Sequence, residues 1–568
     1  MGEYTQQDIR KARRTQEEFS QSGFPVQCGI AQVMELMLPM PDGVRLHTVC
    51  YLPQAPGPFH TILQRTCYTI YDLELQTTAE EYCKRGFAYV YQYCRGIGPS
   101  EGDWVPNVNE EQDGLCTLDW LCAQDWVEDL GLFGFSYMAF NVWVMVGKLP
   151  SKVKTIYVTH YGTDRYTSAY QSGLFRMDLL TGWAMNNAGF PVKADVMESC
   201  RYMPHVEVDE ALWGGRVDWY RDWVTNTSRS DPYWSSGLWG QLARAPGQLD
   251  IPVYIGSGWF DHHLGSTIKA FEALSPQARS AAHFRIGAWS HFFDPCLECY
   301  HGDHLENSDV KSALTWFHQI LVRHEQPTQK ISLYIIGADL WRDFAAYPIP
   351  CDYVQKFYLS PSAPDMAQPA HRLTAQPPAE QCSVCFDYDP SDPVPSHGAE
   401  AMFVTASEIG SLAQPEPNYR PDVVSFLSDP LDAPLTVVGS LKVRLFASSS
   451  AQDTAFTAKI MEVQPDGTGY SIRSSITTLA YRNGDNARGT YTPGEVVPVE
   501  INTWDIAWQF QKGSRIRVDI SSSDFPQYAI HSNFPGVWSL QKQSQPARQS
   551  LFCGDDYPSS LELPCLNL

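Results

Sequence analysis

Gly131-Leu132-Phe133-Gly134-Phe135-Ser136-Tyr137 is the stretch on which the rest of the chain turns. The run from Leu130 to Phe133 has the apolar character of a buried strand. Gly134 is small enough for a tight turn, and the residues after Ser136 read as helix. A strand that bends sharply into a helix at a Ser lifts that hydroxyl clear of the sheet. The five-residue form of this elbow places a second Gly two positions beyond the Ser, where this chain has Met138. The motif alone therefore decides nothing.

Two stretches further along complete it. Gly258-Trp259-Phe260-Asp261 follows the strand-like Ile251 to Ile255, and Trp289-Ser290-His291 follows the strand-like Phe284 to Gly287. The order Ser, Asp, His, each at a strand end, is that of α/β-hydrolases. The chemistry requires these residue types. A hydroxyl needs an imidazole to take its proton, and the imidazole needs a carboxylate to hold its tautomer. Taken singly, Asp261 also reads as a helix N-cap and His291 as a buried, hydrogen-bonded histidine. His160, His262 and His263 are rival bases. His160 precedes the acid in the chain, and the other two adjoin Asp261 too closely to face it across a site.

Around these motifs the chain alternates strand and helix. A hairpin from Val33 to Pro53 turns at Pro41-Asp42-Gly43, and strands are expected at Thr61 to Gln64, Phe87 to Tyr91 and Val153 to Val158. Helices are expected from Ala79 to Arg85, from Asn109 to Ala123 and from about Ser266 to Leu274. This pattern predicts a mainly parallel sheet covered on both faces. From residue 161 to 245 continuous strands give way to a segment holding Trp183, Trp213, Trp219, Trp223, Trp234 and Trp239, read as a helical cap. From 329 onward period-2 alternation, as in Leu441 to Leu445 and Arg515 to Ile520, predicts an antiparallel jelly roll or sandwich. The Pro- and Asp-rich stretch from Ala363 to Pro395 reads as an extended crossing loop. The expected division is an α/β-hydrolase domain in two parts, 1–160 and 246–328, a cap at 161–245, and a β domain at 329–568.

Composition narrows the partners. The 568 residues carry a net charge of −23 without a Lys/Arg-rich run, which sets nucleic acid aside. No apolar stretch reaches the ~18 residues of a membrane span. The polar N-terminal stretch lacks a signal-peptide core, so a cytoplasmic protein with no membrane partner is expected. Fifteen cysteines without a framework rhythm read as free thiols. Cys296-Leu297-Glu298-Cys299, with His301 and His304, and Cys382-Ser383-Val384-Cys385 invite a zinc reading, but the histidines crowd the first pair too tightly. No metal and no cofactor are expected.

These residues resemble the cocaine esterase and X-Pro dipeptidyl-peptidase family of serine hydrolases. The likeness runs from about Val33 to Asn533. It rests on Pro41-Asp42-Gly43-Val44, Arg65-Thr66-Cys67-Tyr68, the loop from Arg95 to Gly102, Trp120 with Gln124-Asp125-Trp126, and the three motifs above. Ser428-Asp429-Pro430-Leu431, Ala458-Lys459 and the stretch from Ser521 to Pro526 extend it into the β domain. The resemblance implies Ser136 as nucleophile, His291 as base, Asp261 as its orienting acid, and an oxyanion hole of the Tyr68 hydroxyl and the Tyr137 backbone N–H. It also allows a homodimer. There are departures: Ala139 stands where the family has Gly, Cys67 where it has Pro, and Tyr93 where it has Asp. The last leaves the charge partner of Arg95 open. The cap tryptophans suit an apolar acyl group, and Trp183, Trp259, Phe260 and Trp289 are the candidate pocket residues. The expected activity is hydrolysis of a carboxylic ester, or a related acyl bond, of a small, partly apolar molecule. The alternatives are a dipeptidyl peptidase or amino-acid ester hydrolase, which needs carboxylates such as Asp195, Glu198, Glu207, Asp209 or Glu210 to grip an α-amine, and an acyltransferase or cyclase.

Overall fold

The nucleophile elbow sits in the middle of a ten-stranded sheet. In the computed structural model of the chain, the strands are β1 (Ile30–Pro39), β2 (Arg45–Pro53), β3 (Phe59–Thr66), β4 (Ala88–Tyr93), β5 (Val127–Phe135), β6 (Val153–Thr159), β7 (Val253–Gly258), β8 (His283–Gly287), β9 (Lys330–Ile335) and β10 (Leu340–Phe344). Their order across the sheet is β1-β2-β4-β3-β5-β6-β7-β8-β9-β10. The structure describes residues 4–567 except 295, 301, 307, 363–369, 399 and 401–407.

The edges are antiparallel and the middle, from β4 to β9, is parallel. Parallel strands need crossovers and are buried on both faces, which is why β4 and β7 are apolar or neutral throughout and fully buried. Helix α1 (Gln6–Gln21), opened by a Thr5/Asp8 capping box, and α2 (Asp72–Cys83) pack on one face. Helices α3 (Glu110–Cys122) and α4 (Tyr137–Trp143) pack on the other. Strands β9 and β10 carry the sheet to Phe344. The boundary expected at 328 therefore falls inside the first sheet, because β9 completes the parallel ladder beside β8.

Between β6 and β7 lies the helical insertion, with helices such as Met177–Asn186, Asp218–Thr225 and Gly237–Arg244 and one two-stranded ladder, Tyr170–Gln171 with Leu174–Phe175. Trp213, Trp223, Trp234 and Trp239 are buried in it. The C-terminal part is an all-β domain built on a twelve-stranded sheet system whose longest pair joins Leu435–Ser449 to Val497–Phe510. The segment from 363 to 395 is not one extended loop. It contains the strands His371–Thr374 and Cys382–Tyr388, the second paired residue for residue with Ala547–Cys553. The β domain is tied to the cap: Tyr481 bonds Thr227 and Ser228, and Arg229 pairs with Asp485. Among the described residues no helix is long and apolar enough to cross a membrane.

Candidate active site

Ser136 ends β5 and opens α4 with φ 55° and ψ −129°. That conformation is strained for any residue other than Gly. It persists because the surroundings leave no alternative. The backbone N–H of Ser136 is bound to the Thr159 carbonyl at 3.0 Å, and its own carbonyl receives the N–H groups of Ala139 and Phe140. Gly134 lets the helix approach the strand: a Cβ there would lie 2.5 Å from the Cα of Ala139. The second Gly of the elbow pattern is dispensable here, since Met138 points into buried space and Ala139 fits fully buried.

His291 arrives on the loop after β8. Its Nε2 lies 2.9 Å from Ser136 Oγ and its Nδ1 lies 2.9 Å from Asp261 Oδ1. With Nδ1 carrying the proton toward the carboxylate, Nε2 is left to accept from the Ser hydroxyl. Asp261 follows β7 and is fully buried. Burial alone would raise its carboxyl, but the adjacent His291 imidazole outweighs this and holds the group well below the ordinary carboxylate range. Further donors fix it: Ser257 Oγ bonds Oδ2 at 2.7 Å and the His263 backbone N–H bonds Oδ1 at 3.1 Å. The structure thus brings Ser136, His291 and Asp261 into one hydrogen-bonded chain.

Three further histidines crowd this chain without bonding to Ser136. The His160 ring centre is 5.6 Å and that of His262 4.4 Å from the His291 ring. Burial depresses His160 to about 3. Burial also drives His262 and His263 well below the ordinary range, aided at His262 by the neighbouring imidazoles. All three are neutral at pH 7, so their rings insulate the site rather than compete for its proton.

Tyr68, on the loop after β3, lines the same cavity as Ser136. Trp183 of the cap lines it too, and its indole N–H donates to the Tyr68 hydroxyl at 3.3 Å. The Tyr137 backbone N–H belongs to the first turn of α4, where a helix supplies no carbonyl partner. The Tyr137 side chain is pinned separately: its hydroxyl donates to Glu110 Oε1 at 2.6 Å and accepts from the Asn107 N–H at 2.7 Å. Burial keeps both the Glu110 carboxyl and the Tyr137 phenol raised.

The other three candidate pocket residues do not line this cavity. Trp259 is buried and donates its indole N–H to the Tyr334 carbonyl on β9. Phe260 is buried beneath the Arg473 guanidinium of the β domain. Trp289 fills the space over Gly287, where a Cβ would lie 2.0 Å from its ring. They are packing residues at the sheet end, and large buried aromatics belong there on general grounds. The cavity wall is supplied instead by cap and strand-end residues that the sequence did not single out, among them Tyr161, Arg165, Leu179 and Trp223. The cavity is narrow, ≈30 Å³. A larger one, ≈510 Å³, lies under α1 behind Phe135 and Met138 and does not include Ser136.

Arg95 finds its partners in Asp113 (2.8 Å) and Asp42 (2.6 Å), while Tyr93 turns its hydroxyl to Asp72. No carboxylate lines the Ser136 cavity among the described residues. Asp195 caps the helix Val196–Arg201, Asp209 and Glu210 pair with Arg221, and Glu198 and Glu207 are exposed. Cys296 and Cys299 lie in the loop after His291, with Cys299 beside Ser411; Cys382 and Cys385 sit on a β-domain strand, Cys382 opposite Cys553. His304 is exposed and bonded to Asp339, and His301 falls outside the described residues. Among the described residues the one group of three or more side chains close enough to share an ion is Asp261, His262 and His291, and two of its members are already bonded to each other.

A nucleophile elbow on a mainly parallel sheet, under a helical cap, defines a serine hydrolase of the α/β-hydrolase class. The chain resembles the X-Pro dipeptidyl-peptidase and cocaine esterase family. Residues 42–293 match the family model described as X-Pro dipeptidyl-peptidase (S15 family), and residues 319–562 match the X-Pro dipeptidyl-peptidase C-terminal non-catalytic domain. The chain is 29% identical over 571 residues to the cocaine esterase of Rhodococcus sp. (strain MB1 Bresler), covering 94% of this chain and 98% of that one. Among solved structures, an aminopeptidase from the marine sediment archaeon Thaumarchaeota archaeon is similar with a TM-score of 0.78 at 20% identity, over 94% of this chain and 96% of that one. An α-amino acid ester hydrolase gives 0.78 at 21% identity, over 96% and 98%. These two share the fold.

Proposed function

We propose that the protein is a carboxylesterase acting on small esters through an acyl-enzyme on Ser136. The observation that carries this reading is the unbroken chain from Ser136 Oγ through both nitrogens of His291 to Asp261. Ser136 attacks the ester carbonyl while His291 Nε2 takes the hydroxyl proton, and Asp261 stabilises the imidazolium. The oxyanion is met by the Tyr68 hydroxyl and the Tyr137 backbone N–H. The carbonyl C–O bond then breaks, and His291 returns the proton to the leaving alkoxide. Water repeats the sequence: His291 deprotonates it, the acyl–serine bond breaks, and the acid leaves. The narrow cavity beside Leu179 and Trp183 favours a short, partly apolar acyl group.

The absence of a carboxylate from the described cavity wall weighs against recognition of an α-amine, and so against the peptidase and amino-acid ester readings. The test is direct. A fluorophosphonate probe should label the wild-type protein and not Ser136→Ala, and a short-chain aryl ester should be cleaved in preference to an Ala-Pro anilide. Labelling that persists in Ser136→Ala, or cleavage of the anilide alone, would refute the assignment.

A further inference from the structure

One cation on the wall of the Ser136 cavity has no use in the reaction just described. Arg165 opens the short helix Arg165–Ala169 directly after β6 and is only 7% exposed. Its guanidinium lies over the Trp223 ring at 4.4 Å and near the Trp239 ring at 5.8 Å. Its Nε is buried without a hydrogen-bond partner. The neighbouring acid, Asp164, is turned away and taken by Arg229 at 2.6 Å and Lys269 at 3.0 Å. Among the described residues Arg165 has no ion-pair partner. His262 and His263 stand on the same wall, and burial keeps them neutral.

A buried guanidinium is costly to keep without an anion, and folded proteins pair such groups or remove them. Here the Trp223 and Trp239 rings lie against the guanidinium, while the walls of the cavity it shares with Ser136 carry no acid among the described residues. Planar guanidinium is suited to carboxylate, which it meets with two parallel N–H groups. We propose that Arg165 recognises a carboxylate on the substrate, so that the preferred substrates are esters bearing a carboxylate within a few bonds of the scissile carbonyl, such as half-esters of short dicarboxylic acids. The narrowness of the cavity limits the span between carbonyl and anion to a short chain. This inference rests on the esterase reading and names the substrate class for the same site.

The experiment compares kcat/KM for monoethyl succinate with that for ethyl 4-methylpentanoate, its neutral isostere, and for 3-acetoxybenzoate with that for phenyl acetate, which place the charge on the acyl and the alcohol side respectively. In the wild-type protein at least one pair should favour the anion by about 10- to 100-fold, the size of one charge-assisted hydrogen-bonded contact. In Arg165→Met that ratio should fall to one or below, and in Arg165→Lys part of it should return. Because Arg165→Met removes a buried side chain, binding of succinate to Ser136→Ala by calorimetry gives a second reading: succinate should bind, and butyramide at the same concentration should not. Ratios at or below one in both wild-type pairs, or a ratio unchanged in Arg165→Met, would overturn the proposal. Neutral esters cleaved without preference sink this inference alone. A wild-type protein that cleaves no ester and is not labelled by the fluorophosphonate sinks the esterase reading beneath it.

Discussion

The indole N–H of Trp183 donates to the hydroxyl of Tyr68 across 3.3 Å, joining the cap to the strand-end loop at the mouth of the Ser136 cavity. A phenol that accepts one hydrogen bond has its own proton left to donate, and the acceptor it would meet in a reaction is the oxyanion. Tyr68→Phe should therefore lower kcat on a short-chain ester by about 10²–10³-fold. Trp183→Phe, which keeps the stacking on Tyr137, should lower it by about tenfold, one ordinary hydrogen bond's worth. On the Tyr68→Phe background Trp183→Phe should add little. Full additivity in this double-mutant cycle would show that the indole acts elsewhere.

The carboxylate of Asp261 accepts from His291, Ser257 and the His263 backbone, so the acid is held in one orientation before substrate arrives. Asp261→Asn presents the wrong partner to Nδ1 and should reduce kcat by about 10⁴-fold with little change in melting temperature. A loss of under tenfold, measured on protein with an unchanged melting temperature, would remove Asp261 from the reaction.

Gly134 faces α4 with no room for a methyl group, since its Cβ would meet backbone atoms of Met138 and Ala139 rather than a flexible side-chain end. Gly134→Ala should push the elbow apart and abolish fluorophosphonate labelling of Ser136, with destabilisation of about 1–3 kcal/mol from overpacking in chemical denaturation. Normal labelling in Gly134→Ala would mean that the strand–helix approach does not set the nucleophile.

Asp309, at the start of the helix Asp309–Phe317, is pushed to about 7 by burial, against the hydrogen bond it accepts from Tyr157 at 2.5 Å. Unfolded, this carboxyl loses its proton near its ordinary value of 3.8, whereas folded it keeps the proton to about 7. The folded state binds more protons in between, so this group makes stability fall as pH rises from about 4 to about 7, by up to ~1.4 kcal/mol per pH unit, and then level off. Asp309→Asn keeps an acceptor for Tyr157 and removes the titration. The variant should gain melting temperature relative to wild type at pH 8 and gain nothing at pH 4. An equal difference at both values would show that Asp309 is ionised throughout.

The legible part of the protein was the part with local grammar. Alternating strand and helix, the hairpin at Pro41-Asp42-Gly43 and the small Gly134 before Ser136 each follow from short-range sterics and periodicity. The parallel middle of the first sheet and the β-rich character of the C-terminal part could therefore be read in order along the chain. The same local reading misjudged the end of the sheet, because β9 and β10 are short strands whose place is set by pairing, β9 with β8 and β10 with β9, and not by any nearby signal.

Which side chains share the Ser136 cavity was not legible. Trp259, Phe260 and Trp289 stand beside Asp261 and His291 in the chain, yet successive side chains leave a strand end in opposite directions, and these three turn into the core. Tyr161 and Arg165 reach the cavity from the chain leaving β6, beside the nucleophile strand, and Trp183 reaches it because the cap folds back over the sheet. The partners of Arg95, far off in the chain at Asp42 and Asp113, illustrate the same point. The sequence alone determined the order of the elements and the residue types available for acyl chemistry, since both depend on neighbours in the chain. Only the tertiary structure decided who faces whom, because burial, charge pairing and cavity walls are properties of residues brought together across hundreds of positions.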